Sequence, residues 1–252
     1  MIELYKKLFS KLGDQHWWPA ETPFEVAVGA ILTQQTRWEN VERAITNLKR
    51  AGLLEAEVLA TVEIEAIEEQ IRCTGFYHQK AERLREIARY FSKNGNKIPN
   101  KPTERLRREL LDIKGVGDET ADSILLYAAE RPKFVIDAYT RRIGECIGIK
   151  GNYRELQRHF EERLPQNVEL YKNFHALIVR YAKEYCNKKR CDECLIKEDP
   201  NIQEIEPNRP ELNEREDLCE PLGTDQPPET IFKTTISPSE ETESSNGLGT
   251  PP

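Results

Sequence analysis

Apolar residues along the first two hundred positions recur at spacings of three and four, the period of a helix with one buried stripe. The pattern predicts helices over residues 3–12, 24–35, Trp38–Arg50, 55–60, 64–72 and 79–93. A run ending at Leu111 comes next, followed by helices over 118–129, Ala138–Cys146, 153–164 and 170–186. No strand of any length is predicted, so the body reads as all-α. The stretch from Phe24 is apolar almost all round and belongs at the centre, with Thr22 as its cap and Pro23 at its first position. Residues 79–93 place Leu84, Ile87, Ala88 and Phe91 on one face and their Lys and Arg residues on a solvated outer face.

Two interruptions carry chemistry. Between the helical runs ending at Leu111 and starting at Asp118 stands Lys114-Gly115-Val116-Gly117, a turn joining two helices. One glycine suits a positive φ and the other a close backbone approach. Free amides at the start of the second helix, with Lys114 beside them, suit a phosphate and carry no base information. The same turn also serves as a plain connection between helices. The second interruption precedes Asp137, which follows Val135 and Ile136 and opens a helix. Its carboxylate can cap that helix, or it can stabilise a positive centre or orient a water in a cleft.

Charge is unevenly distributed. Residues 200–252 carry 12 acidic against 3 basic residues, so the acidic balance belongs to this segment, while the preceding 199 residues are at +2. The body is therefore free to present a basic face to nucleic acid. From Pro200 onward lie nine of the 15 prolines, and few apolar residues, so this acidic segment is expected to be disordered. No run of about 20 apolar residues and no leader-like start is present, which predicts a cytoplasmic protein without membrane contact.

Helix, KGVG, helix, Pro132 and Asp137 together resemble the helix-hairpin-helix (HhH-GPD) base-excision DNA glycosylases related to endonuclease III, over roughly residues 4–195. The resemblance implies two domains: residues 1–22 with 131–199, and a six-helix barrel over 23–130 that contains the hairpin at 110–130. It implies a monomer acting on duplex DNA with damaged bases and found with the nucleoid. Asp137 becomes the catalytic carboxylate, and Gln34, Gln35, Lys114, Gly115, Val116, Gly117 and Thr120 fall at the DNA.

Departures from the family sharpen the reading. Bifunctional members have a Schiff-base lysine where this chain has Glu119, and a carboxylate cannot act as an amine nucleophile. Adenine glycosylases acting opposite oxidised guanine have a glutamate where Ala30 stands. Trp17-Trp18-Pro19, Thr33-Gln34-Gln35-Thr36 and Trp38 are similar to the bacterial 3-methyladenine DNA glycosylases of endonuclease III type, as is the stretch from Phe174 to Lys183. That likeness makes Trp17, Trp18, Pro19, Trp38 and Lys183 the base pocket and alkylated purines the substrate. A mismatch or oxidised-base glycosylase, or a non-catalytic DNA-binding relative, is the alternative. The tryptophans also have an ordinary use as packing residues.

Relatives often hold a 4Fe-4S cluster on four late cysteines spaced C-x6-C-x2-C-x5-C. Here Cys186, Cys191 and Cys194 give C-x4-C-x2-C, Pro200 stands at the fourth position, and Cys219 lies 25 residues past Cys194. No metal or other cofactor is expected.

Overall fold

A computed structural model describes residues 1–196. Eleven α-helices are found among them: α1 Ile2–Leu12, α2 Pro23–Leu32, α3 Trp38–Arg50, α4 Ala56–Thr61, α5 Ile64–Ile71, α6 Tyr77–Asn94, α7 Thr103–Leu111, α8 Asp118–Ser123, α9 Ala138–Cys146, α10 Tyr153–Glu162 and α11 Val168–Tyr181. Two of these run on into single wide π-type turns, Ile124–Ala128 after α8 and Ala182–Cys186 after α11. The expected tail, with Pro200 and Cys219, lies outside the described residues. Among the described residues no helix is long and apolar enough to cross a membrane.

The helices form two lobes, each with its own core. One core gathers Ile31, Leu48, Ile67, Leu84, Leu106, Leu110 and Leu125. The other joins both ends of the described chain, with Leu4 and Leu8 from α1 packed among Phe134, Phe160, Tyr171, Phe174 and Tyr181. Phe134 stacks on Phe160 at 4.6 Å between ring centroids and meets Phe174 edge-on.

Helix α2 runs through the centre as its composition predicts. The Thr22 hydroxyl accepts from the Glu25 amide at 3.1 Å, Pro23 occupies the first position, and every residue from Phe24 to Leu32 is buried. It ends at Leu32, earlier than periodicity implied, because a turn through Gln35 in the left-handed region follows. Lys80, expected on the solvated face of α6, is fully buried instead and closes this end. Its ammonium donates to the carbonyls of Leu32 at 3.0 Å and Thr74 at 2.9 Å and to the Thr36 hydroxyl. The Leu32 carbonyl belongs to the end of α2, where carbonyls lack helical donors, and the Thr74 carbonyl also accepts from the Thr36 hydroxyl, so the buried charge is met by backbone acceptors. Burial and the nearby Arg83 lower the Lys80 pKa to about 8.

A second buried charge joins the lobes. Arg107 on α7 donates to both oxygens of Asp122 at 2.7 and 3.0 Å and to Asp118 at 2.6 Å. Gln157 on α10 donates to Asp122 and to the Phe134 carbonyl, both at 2.8 Å. Removing one member of such a network strands a buried charge, at a cost of about 3–5 kcal/mol. The network fixes the two hairpin helices to each other and to the extended segment that delivers Asp137.

Candidate functional site: an aromatic cluster beside a capped carboxylate

Asp137 ends a buried run of Phe134, Val135 and Ile136 and is the N-cap of α9. Its Oδ1 accepts from the Thr140 amide at 2.6 Å, and its Oδ2 lies 3.4 Å from Nε2 of His175 on α11. Burial works to raise its pKa. The His175 charge and hydrogen bond and the bonds from Thr140 outweigh burial, and the net shift is downward. The group is held ionised, and its charge acts on Glu119.

Glu119 lies in the first turn of α8 and is exposed. Its surroundings and the charge of Asp137 push its pKa up to about 7, against smaller opposing effects of His175 and Arg141. The two carboxyls are thus driven apart in acidity by their settings, one ionised and one near its titration point at neutral pH.

The three tryptophans converge. Trp17 and Trp18 come from the loop between α1 and α2, and Trp38 opens α3. Trp17 and Trp38 have centroids 4.4 Å apart, Trp17 and Trp18 5.5 Å, and Trp18 meets Trp38 edge-on at 5.5 Å. The loop is tied to α11 by a hydrogen bond from the Gln15 amide to Asn173 and by Arg180 donating to Gln15 and to the Leu12 carbonyl. Trp18 lies against α2 at Gly29, where a β-carbon would sit 3.0 Å from its ring. Its ring also packs on Tyr127 at 5.3 Å, and the Tyr127 hydroxyl lies 2.7 Å from His175 Nδ1. A continuous path therefore runs from the indoles through Tyr127 and His175 to Asp137. Tyr127 and His175 went unrecognised in the sequence.

Lys183 is placed differently. It is exposed in the wide turn after α11, with its ammonium 5.8 Å from the ring centroid of Tyr139, two residues past Asp137. Pro19 is exposed beside Trp18. A cleft of about 1080 Å³ opens between the lobes, with Trp17, Trp18 and Tyr127 in its wall and Lys93, Arg131 and Lys172 among its charged lining. Trp38 and Asp137 do not line it.

At the hairpin, Gly115 has φ 88° and the Arg83 side chain crosses it so closely that a β-carbon would sit 2.5 Å from Arg83 Cδ. Gly117 faces open space and begins α8 without a side-chain cap. Lys114 is 84% exposed, 3.7 Å from Glu82, whereas Val116 is buried. Gln34 has its amide committed: Nε2 donates to the Gly115 carbonyl and the Thr120 hydroxyl, both at 3.0 Å, and Oε1 accepts from Arg83 at 2.5 Å. Gln34 and the buried Thr120 brace the hairpin from within, while Gln35 is exposed next to them.

Cys186 is buried and Cys194 half-buried. The Cys194 sulfur accepts from the Tyr181 hydroxyl at 3.4 Å. Among the described residues no three His, Cys, Asp or Glu side chains converge on a metal position.

Comparison with known proteins adds to this geometry. Residues 28–166 match the family described as HhH-GPD superfamily base excision DNA repair protein. A Methanocaldococcus jannaschii protein assigned to the DNA repair glycosylases is 50% identical over 207 residues, covering 79% of this chain and 94% of that one. Endonuclease III of Thermotoga maritima is 31% identical over 180 residues, 69% of this chain and 81% of its own. Among solved structures, the H. pylori 3-methyladenine DNA glycosylase bound to 1,N6-ethenoadenine superposes with a TM-score of 0.65 at 33% identity, over 72% of this chain and 96% of that chain.

Proposed function

The chain belongs to the HhH-GPD superfamily of base-excision DNA repair proteins, and from that premise we propose that it is a monofunctional DNA N-glycosylase that hydrolyses the glycosidic bond of alkylated purines such as 3-methyladenine. The observation that carries this reading is the cluster of Trp17, Trp18 and Trp38, in which Trp18 packs on a tyrosine joined through His175 to Asp137.

N3-alkylated adenine and N7-alkylated guanine are cationic while attached to the sugar. Electron-rich indoles attract such a ring, and the charge already activates the leaving group. A strong general acid is then unnecessary. What remains is to bind the flipped base and to stabilise the positive charge that grows on the sugar as the bond to C1′ breaks. The ionised Asp137 supplies the second, and an attacking water completes hydrolysis.

Stacked aromatic layers need about 3.5 Å each, so a purine between two indoles requires roughly 7 Å. Trp17 and Trp38 stand at 4.4 Å, so the base enters by parting them. Trp17 is the wall that moves, because it sits half-exposed on a loop, whereas Trp38 stands on α3 and Trp18, which meets both rings, is backed by α2. The hairpin grips a backbone phosphate through the amides around Gly117, with Lys114 adding charge, and the protein acts as a monomer.

Glu119 occupies the position of the imine-forming lysine in bifunctional relatives, so the reaction stops at an abasic site. Incubation with methylated duplex DNA is expected to release 3-methyladenine and to leave strands intact until alkali is applied. Release of 8-oxoguanine or of a mismatched base in place of alkylated purines would overturn the substrate, and strand nicking trapped by borohydride would overturn the monofunctional reading.

A further inference from the structure

The proton inventory around Asp137 assigns a role to two of its neighbours, Tyr127 and His175. The Tyr127 hydroxyl has one proton and two neighbours: the Lys172 carbonyl at 3.2 Å, which can only accept, and His175 Nδ1 at 2.7 Å. If the proton goes to Nδ1, the neutral imidazole carries its own proton on Nε2. If the proton goes to the carbonyl, Nδ1 must donate to the tyrosine oxygen, and a neutral ring would then turn an Nε2 lone pair on the Asp137 carboxylate. That arrangement is repulsive, so the ring is the imidazolium. In both cases Nε2–H faces Asp137 Oδ2.

Both rings are buried, and Asp137 Oδ2 is the acidic neighbour of Nε2, at 3.4 Å. This spacing is loose for a hydrogen bond, as contacts of catalytic groups often are before substrate tightens them. Oδ1 is already held by the Thr140 amide. With His175 on Oδ2 the carboxylate plane is fixed at both ends.

We infer that His175 is a positioning residue for Asp137, with Tyr127 setting its tautomer and connecting the carboxylate to the aromatic slot. The inference rests on the reading of Asp137 as the catalytic carboxylate. Tyr127 can do both jobs because the wide turn at Ile124–Ala128 delivers it between Trp18 and His175. A base that displaces the indoles therefore presses on the ring that orients the carboxylate. Besides His175, Thr140 on α9 bonds Asp137, the Asp137 charge acts on Glu119 of α8 and on Tyr127, and Arg141 acts on Glu119.

The test uses the full chain with His175→Leu, His175→Gln and Tyr127→Phe. Single-turnover release of 3-methyladenine is followed against pH, and binding to an abasic-analogue duplex is measured alongside. His175→Leu is expected to slow release about 10–100-fold, the usual effect of losing a partner that orients a reactive ligand. Binding should stay within a few-fold, and the acid limb of the profile should move to higher pH as Asp137 loses the neighbour that keeps it ionised. His175→Gln, which retains a donor, should recover most of the rate, and Tyr127→Phe should fall between. A folded His175→Leu with unchanged rate and unchanged acid limb would overturn the inference.

Histidine side-chain nitrogen spectra of the wild type give a readout independent of activity, since there are four histidines and His175→Gln identifies the signal. A proton on Nε2 is expected, whereas a neutral Nδ1–H tautomer would overturn the inference. If wild type releases no alkylated base, the functional reading fails while these spectra still decide the placement of the proton.

Discussion

Replacing Gly29 by alanine tests whether Trp18 is fixed behind the slot between Trp17 and Trp38. The added β-carbon would stand 3.0 Å from Cζ2 and 3.2 Å from Nε1 of the indole. Carbon atoms pack at about 3.5–4.0 Å, so the ring must withdraw by roughly half an ångström. Room for that is scarce, because Trp17, Trp38 and Tyr127 surround Trp18 at 5.5, 5.5 and 5.3 Å between centroids. Alanine in place of glycine within a helix gains about 1 kcal/mol, and forcing a methyl into a packed site costs about 1–3 kcal/mol. The net is a loss of about 0–2 kcal/mol, or a few degrees in Tm. Function should suffer more than stability, since the displaced ring meets both walls of the slot. Urea unfolding gives the first quantity, and single-turnover base release over a range of protein concentrations gives the second, with binding of the damaged duplex expected to weaken about tenfold. A variant stabilised by the full 1 kcal/mol with unchanged base release would refute the reasoning, because it would show that Trp18 moves freely off α2.

Other substitutions separate the roles assigned to the carboxyls. Asp137→Asn keeps an acceptor for the Thr140 amide, so stability should change by less than about 1 kcal/mol while base release falls at least about 100-fold and abasic-analogue binding persists; equal losses of turnover and binding would reduce Asp137 to a cap. Glu119 titrates at about 7 in the fold against an ordinary 4.5, so the native state binds more protons across that window and stability falls as pH rises through it. Glu119→Gln should flatten stability against pH between about 4.5 and 7, and an unchanged slope would show the carboxyl is freely solvated. Glu119→Lys places an amine beside Asp137 and should yield a borohydride-trapped adduct with abasic DNA that the wild type does not form.

Much of the fold was readable because most helices obey one period. Trp38–Arg50 and Ala138–Cys146 are predicted to the residue, since each has an uninterrupted stripe and a clear start. The wide turns at Ile124–Ala128 and Ala182–Cys186 were not readable, because one extra residue in a helical turn leaves no mark in composition. Tyr127 went unseen for that reason, and His175 because its partner lies 48 residues away on another helix. Lys80 and Arg83 were expected on a solvated face of α6. Lys80 turned inward because the end of α2 leaves carbonyls that a long cation can reach, and Arg83 because Gly115 leaves room for it to cross. Adjacent indoles in a proline-bound loop were a usable signal for Trp17 and Trp18, as such a loop offers no periodic face on which to bury both.

The most direct measurement is base release from methylated duplex DNA by the purified full chain, with liberated bases identified by mass and the DNA divided between alkali and borohydride treatment. The account requires free 3-methyladenine, alkali-labile sites in equal number, no trapped adduct, and loss of both signals of excision in Asp137→Asn. Intact alkylated purines together with release of another base, or a protein–DNA adduct trapped from the wild type, would contradict it.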